Sequence, residues 1–244
     1  MTLSVVPVAG IPEIRGGDDV AALISERIAL QDGDVVVVAQ KVVSKAAGLV
    51  RDLAAVAVSE RAAAIAARLG KDPRFVALVL EESVRVVREE RVLITETRQG
   101  FVCANAGVDR SNTGRHDAVT LLPLDCDASA ASLRRRLHEL TNVSVGVVIS
   151  DTFGRPWRNG ICNVALGVAG VAAVVDHRGH SDDDGRALET TVVAVADEIA
   201  AAAGLVMGKT ERVPAAVVRG LAVGVRGDGH GADLVRPAAL DLFR

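Results

Sequence analysis

The sequence predicts one domain that mixes strands and helices, and three observations carry that reading. Short β-branched apolar runs recur at residues 3–8 and 35–39 and from Val145 onward, each bounded by glycine or charge. Between them lie longer stretches with helical periodicity, at 20–28, 59–69, 73–82, 130–140 and 189–204. Neither a GxGxxG fingerprint nor a GxxxxGK[ST] loop is present, so a dinucleotide-binding or P-loop organisation is not supported.

The elements follow from local signals. After the first strand, Pro12 and Gly16-Gly17 make a stiff turn, and Asp18 or Asp19 caps the helix over 20–28. Asp32-Gly33-Asp34 turns the chain into the second strand. Ser59 caps an alanine-rich helix that Gly70 and Pro73 break. Residues 84–97 read as strand, with a charged turn at 88–91. Asp125 leads into the helix over 130–140, whose Arg134-Arg135-Arg136 run reads as a solvated face. Residues 160–175, rich in Gly, Ala and Val, read as a helix or strand packed very close to a neighbour, within the chain or across a subunit interface, and Ala215 to Arg219 as a strand.

Composition narrows the function. With 244 residues, half of them hydrophobic, the chain can bury one large core or two small lobes sharing one. A net charge of -3, aromatics at 2% and no tyrosine leave little to attract or stack nucleic acid. Arginine far outnumbers lysine, a compositional habit of the chain. Cys103, Cys126 and Cys162 form no CxxC pair and imply no zinc site or disulfide framework. No signal peptide is evident, and apolar runs are broken before membrane-spanning length. The expectation is a soluble cytoplasmic protein that makes no use of a membrane.

Chemistry concentrates in three stretches. The first is Asp151-Thr-Phe-Gly-Arg-Pro-Trp-Arg158, where a buried strand is expected to end at Asp151 and Thr152 and to turn at Gly154 and Pro156. Carboxylate and hydroxyl oxygens suit a hard cation, and Arg155 and Arg158 suit phosphate or carboxylate. The second is Phe101 to Asn112, offering Asn105, Asp109, Ser111 and Asn112 either as an Asx-rich turn or as a second metal-facing strand end. The third is Asp176 to Arg186. His177 and His180 there lack fixed ligand spacing, while Arg178 and Arg186 suit anions. Lys41, Ser44 and Lys45 follow the second strand directly, as a loop touching polyphosphate or as a solvated turn. Asp197 and Glu198 cannot both face a core.

Taken together these stretches resemble the coenzyme F420-0:L-glutamate ligase family, the F420 γ-glutamyl ligases. The resemblance is carried by Gln40 to Lys45, Val102 to Asn112, Asp151 to Arg158, Asp184-Gly-Arg186 with Ala196 to Ile199, and Leu205 to Gly208, in family order across nearly the whole chain. It extends to the ligase lobe of the two-domain actinobacterial version, whose second domain is flavin-binding. It implies an α+β fold with mixed and antiparallel sheets and packed helices. It also implies one ligase domain over 1–244, as a single unit or two interleaved lobes, in an intertwined homodimer. The implied reaction uses GTP, two manganese or magnesium ions and potassium to join L-glutamate to F420-0 or its dehydro form.

By resemblance, Asp109 and Asp151 hold one metal and Thr152 contributes to the second. Ile11, Pro12, Glu13, Ile14, Gln40, Lys41, Lys45 and Asn112 match the nucleotide surroundings, as does the loop Met207, Gly208, Lys209, Thr210 and Glu211. Lys45, Arg155 and Arg158 join Asp109 and Asp151 in the expected catalytic set. Many relatives carry an acid where this chain has Lys209, so either Glu211 supplies that ligand or Lys209 meets phosphate directly. A stand-alone polyglutamate extender and a noncatalytic nucleotide- and metal-binding subunit are the competing functions.

Overall fold

The architecture was obtained as a computed structural model and is described for residues 2–114, 116–221 and 227–241. In chain order the elements are β1 (Ser4–Pro7), α1 (Val20–Ser25), β2 (Val35–Ala39), α2 (Gln40–Ala46), β3 (Val50–Asp52), α3 (Glu60–Leu69), α4 (Pro73–Glu81), β4 (Ser83–Glu90) and β5 (Val92–Thr97). There follow β6 (Val102–Ala104), β7 (Ala118–Thr120), α5 (Cys126–Thr141), β8 (Gly146–Arg155), β9 (Arg158–Ala169), β10 (Val175–Asp176), β11 (Val192–Val193), α6 (Val195–Met207) and β12 (Ala215–Arg219).

The valine runs become strands buried on both faces, which is why they read as unbroken apolar stretches. They form a five-stranded sheet of order β1-β12-β2-β8-β9. The β2–β8 pair is parallel and the other pairs are antiparallel. Alternation sorts the side chains. Val36, Val38, Val147, Ile149 and Val217 join Ile24 of α1 and Leu137 of α5 on one side. Val35, Val37, Val148 and Val218 join Ile199, Ala200 and Ala203 of α6 on the other. The small alanines of α6 let the helix lie close to the sheet. Asp34, 1% exposed, takes the Arg219 guanidinium in two bonds of 2.8 and 2.7 Å and ties the start of β2 to the end of β12.

A second apolar cluster gathers Leu53, Ile65, Phe75, Leu78, Leu93, Val119 and Leu121 from the stretch between α2 and α5. There α3 and α4 pack beside the sheet β4-β5-β6 and the pair β3-β7. Ser59 and Asp72 cap α3 and α4, and Gly70 ends α3 in the left-handed region at φ 63°. Among the described residues no helix is long and apolar enough to cross a membrane. The chain is thus mixed α and β, with mixed and antiparallel sheets.

Several expectations are corrected. Residues 40–45 are not a loop but the body of α2, with Gln40, Ser44 and Lys45 buried. The helix expected over 189–204 begins at Val195, because Thr190, Thr191, Val192 and Val193 are β-branched and favour the extended chain. α1 ends at Ser25 rather than near residue 28, and α5 starts four residues early, at Cys126, because Asp125 caps it through the Ala128 N–H. Arg134 is not simply solvated, since its Nε donates to the Val145 carbonyl at 2.8 Å. Most consequentially, β8 does not stop at Asp151. It runs to Arg155 and pairs with β9 across a turn at 156–157. The segment 160–175 is largely β9, and it does lie against a neighbour, α5.

Candidate functional site

Two aspartates from distant segments define the site. Asp151 lies within β8, and Asp109 follows the short 3-10 turn over Asn105–Gly107 after β6. That turn holds Asn105 and Ala106 at positive φ, and a Cβ on Gly107 would meet the Leu122 side chain at 2.6 Å, so the chain needs glycine there. Asp109 bridges to Thr120 beside β7, which fixes where its carboxylate emerges.

Lys41 of α2 reaches across to this segment. Its ammonium donates to Asp109 Oδ2 at 2.7 Å and to the Ser111 carbonyl at 2.7 Å. The Ser111 N–H donates to Asp109 Oδ1 at 2.7 Å. Burial would raise the Asp109 carboxyl, but the Lys41 bond and charge with the Ser111 N–H and hydroxyl outweigh it and hold Asp109 below the usual carboxylate value. The Asx-rich turn expected over this stretch is thus present, with Ser111 closing it on the carboxylate two residues back.

Asp151 is the opposite case. Burial, reinforced by the Asp109 charge, pushes its carboxyl up to about 6, against the Thr152 N–H and the charges of Lys209 and Lys41. The aspartates therefore feel each other across the site. Cys103 lies close enough that burial and then the Asp151 charge push its thiol up to about 12, leaving it inert at neutral pH.

Lys209 comes from the loop after α6 and donates to Thr152 Oγ1 at 2.7 Å. That loop is organised by Glu211. One carboxylate oxygen accepts from the Lys209 and Thr210 N–H groups at 2.7 and 2.8 Å, and the other accepts from the Thr210 hydroxyl at 3.1 Å. These backbone and hydroxyl donors hold Glu211 below its ordinary pKa. Gly208 permits the fold-back, because a Cβ there would lie 1.9 Å from the Glu211 carboxylate. Met207, the last residue of α6, is buried in the core between the helix and the sheet.

The remaining predicted residues divide clearly. Lys45 pairs with Glu13, and the Glu13 carboxylate lies 3.8 Å from where a Cβ on Gly114 would sit, which draws 11–14, α2 and 109–114 together. Ile11 and Ile14 are core residues that anchor this turn, while Pro12 is exposed. The Gln40 amide is buried and donates to the Leu121 carbonyl at 3.0 Å. Asn112 is exposed at φ 53° on the Asp109 loop. Arg155 and Arg158 are not brought to the aspartates within one chain. They face each other at the exposed hairpin tip, four residues or about 13 Å along β8 from Asp151. His177 and His180 stack edge-to-face at 5.9 Å on an exposed loop, and Asp197 accepts from the Ala165 N–H while Glu198 faces solvent.

The donor set fits one hard cation. Asp151 is a half-buried carboxylate that receives one N–H, from Thr152, among the described residues, and Asp109 is near enough for its charge to bear on it. No group of three or more His, Cys, Asp or Glu side chains that could hold a metal occurs among the described residues. That pattern suits an ion that completes its shell with water and phosphate oxygens, as magnesium does. A second ion fits less well, because Thr152 already accepts from Lys209 and both Glu211 oxygens are engaged within their own loop.

Comparison with known proteins identifies the framework. Residues 10–220 match the family described as F420-0:Gamma-glutamyl ligase. A protein of Archaeoglobus fulgidus named coenzyme F420:L-glutamate ligase is 48% identical over 100% of this chain and 97% of its own. Proteins of the same name from Methanothermobacter thermautotrophicus and Methanopyrus kandleri are 47% and 46% identical, over 100% of this chain and 100% and 98% of theirs. With the family match spanning residues 10–220 and full-length relatives at 46–48% identity, the chain belongs to the F420-0:γ-glutamyl ligase family.

Proposed function

We propose that the protein joins L-glutamate to coenzyme F420-0, or to its dehydro form, at the expense of GTP. The observation that carries this is the convergence of Asp109 and Asp151 from separate segments, near enough for the Asp109 charge to act on Asp151, with Lys41 bound to Asp109 and Lys209 to Thr152. The full-length relatives named as coenzyme F420:L-glutamate ligases support the substrate class.

An amide does not form readily from a free carboxylate in water, so the acid must be activated. In the proposed course the substrate carboxylate attacks the γ-phosphate of GTP, GDP leaves, and an acyl phosphate results. The glutamate amine then attacks the acyl carbon, expels phosphate and sheds its proton. A manganese or magnesium ion at Asp109 and Asp151 would supply neutralising charge to the phosphate oxygens, with potassium as a helper. Lys41 orients the Asp109 carboxylate and adds positive charge. Lys45, held by Glu13, and Asn112 on the Asp109 loop are proposed as nucleotide contacts, with the buried Gln40 amide fixing α2 to the Leu121 carbonyl.

The chain is further proposed to work as a homodimer of single ligase domains. Trp157 and Ile161 are 78% and 59% exposed at the β8–β9 hairpin tip, an apolar projection suited to a second copy. Arg155 and Arg158 would thereby lie at the boundary between copies, where the anionic tail of the substrate is proposed to bind.

Purified protein incubated with F420-0 or dehydro-F420-0, GTP, Mn2+ and glutamate should release GDP and give a product heavier by one glutamyl unit. A ladder of heavier products would mark an extender. Asp151→Ala, checked as folded by circular dichroism, should lose about a hundredfold in ligation rate. Near-normal ligation by that variant would defeat the assignment, and GTP binding without glutamate-dependent GDP release would favour a noncatalytic subunit.

A further inference from the structure

The chain has four lysines, Lys41, Lys45, Lys71 and Lys209, and relies on arginine for the rest of its fixed positive charge. Three of the four stand on the segments that build the site. A lysine ammonium is a compact point charge with three donors and no acceptor, whereas a guanidinium is a broad fork. At the site, Lys41 and Lys209 thus set compact charges rather than forks against Asp109 and Thr152.

Lys209 is the sharpest case. Its Nζ sits 2.7 Å from Thr152 Oγ1, and its charge bears on Asp151. Thr152 takes one of its three N–H groups, which among the described residues leaves two for an entering anion. Its backbone is not free to drift, because the Lys209 N–H is bound by Glu211 at 2.7 Å and the turn exists through the missing Cβ of Gly208. A divalent ion bound to the same hydroxyl would lie within a few ångströms of the ammonium, a strongly repulsive arrangement.

We propose that Lys209 is a built-in cation of the site, holding a phosphate oxygen beside Thr152 where a second divalent ion would otherwise bind, so that each site takes one divalent ion, at Asp109 and Asp151. This rests on the phosphoryl-transfer reading above.

The test counts ions rather than turnover. Mn2+ is titrated into the protein with saturating β,γ-imido-GTP, and bound ion is read from the loss of the free Mn2+ electron paramagnetic resonance signal. Wild type should hold one Mn2+ per chain and Lys209→Glu two. Removing the charge in Lys209→Met should raise the Kd of the analogue roughly ten- to hundredfold. Two Mn2+ per chain in wild type, one in Lys209→Glu, or an unchanged Kd in Lys209→Met would each overturn the role of Lys209 while leaving the ligase reading standing. A wild-type protein that binds neither Mn2+ nor the analogue would overturn both. Lys209 is exposed, so these substitutions test charge rather than folding.

Discussion

Asp151 is a half-buried carboxylate with no direct cationic partner among the described residues. Its folded pKa, about 6, lies above the ordinary 3.8 because burial disfavours the charged form. The neutral form is thus favoured in the fold, and the resulting stability is full below about pH 4 and lost as pH rises through about 6. In metal-free protein, Asp151→Asn should therefore be more stable than wild type at pH 7.5, with the gap narrowing below pH 6 and closing near pH 4. A melting-temperature series across that range checks this, and a gap independent of pH would contradict it. Cation binding runs the other way, since a ligand carboxylate must be ionised. Mn2+ affinity should fall about tenfold per pH unit below 6, read by dialysis. That polar stretches at Asp109 and at Asp151-Thr152 follow short apolar runs was legible in the sequence, although β8 runs on past Asp151. The Lys41–Asp109 and Lys209–Thr152 contacts were not, because they join residues 68 and 57 positions apart and depend on how elements pack.

At the scale of elements, two close approaches set the frame. A Cβ on Gly167 of β9 would lie 2.3 Å from the Cys126 backbone, where the first turn of α5 meets the sheet. The Asp127 carboxylate accepts from the Val168 N–H at 2.8 Å and fastens the same contact. Gly167→Ala should lift α5 from the sheet at a cost of about 2–3 kcal/mol, or roughly 5–10 °C in melting temperature. Asp34→Ala should cost about 3 kcal/mol by leaving Arg219 without its carboxylate partner, as denaturant titration would measure. The valine strands and the capped α3 and α4 could be recognised from periodicity and cap residues alone. α2 could not, because its seven residues carry no side-chain cap and too few turns to show a period. The true length of β8 was hidden for a different reason. Gly154 and Pro156 are ordinary turn formers, and the pairing with β9 that carries the strand past Asp151 is a long-range fact.

For the whole molecule, the mixed α and β class followed from the alternation of runs, but the order of the central sheet did not. Its β1–β12 pair joins Ser4 with Arg219, and no local signal records a contact between opposite ends of a chain. The proposed dimer belongs to this scale. Light scattering should give twice the chain mass, and Ile161→Glu at the hairpin should shift it toward the monomer. A wild-type monomer at micromolar concentration would exclude that arrangement.

The hairpin tip also makes the protein its own optical probe. The chain has one tryptophan and no tyrosine, and that tryptophan is 78% exposed at the turn between β8 and β9. Ultraviolet emission excited at the indole band consequently comes from a single wetted position. Anything that covers the tip will move that emission to shorter wavelength, so docking of this surface can be followed in unlabelled material.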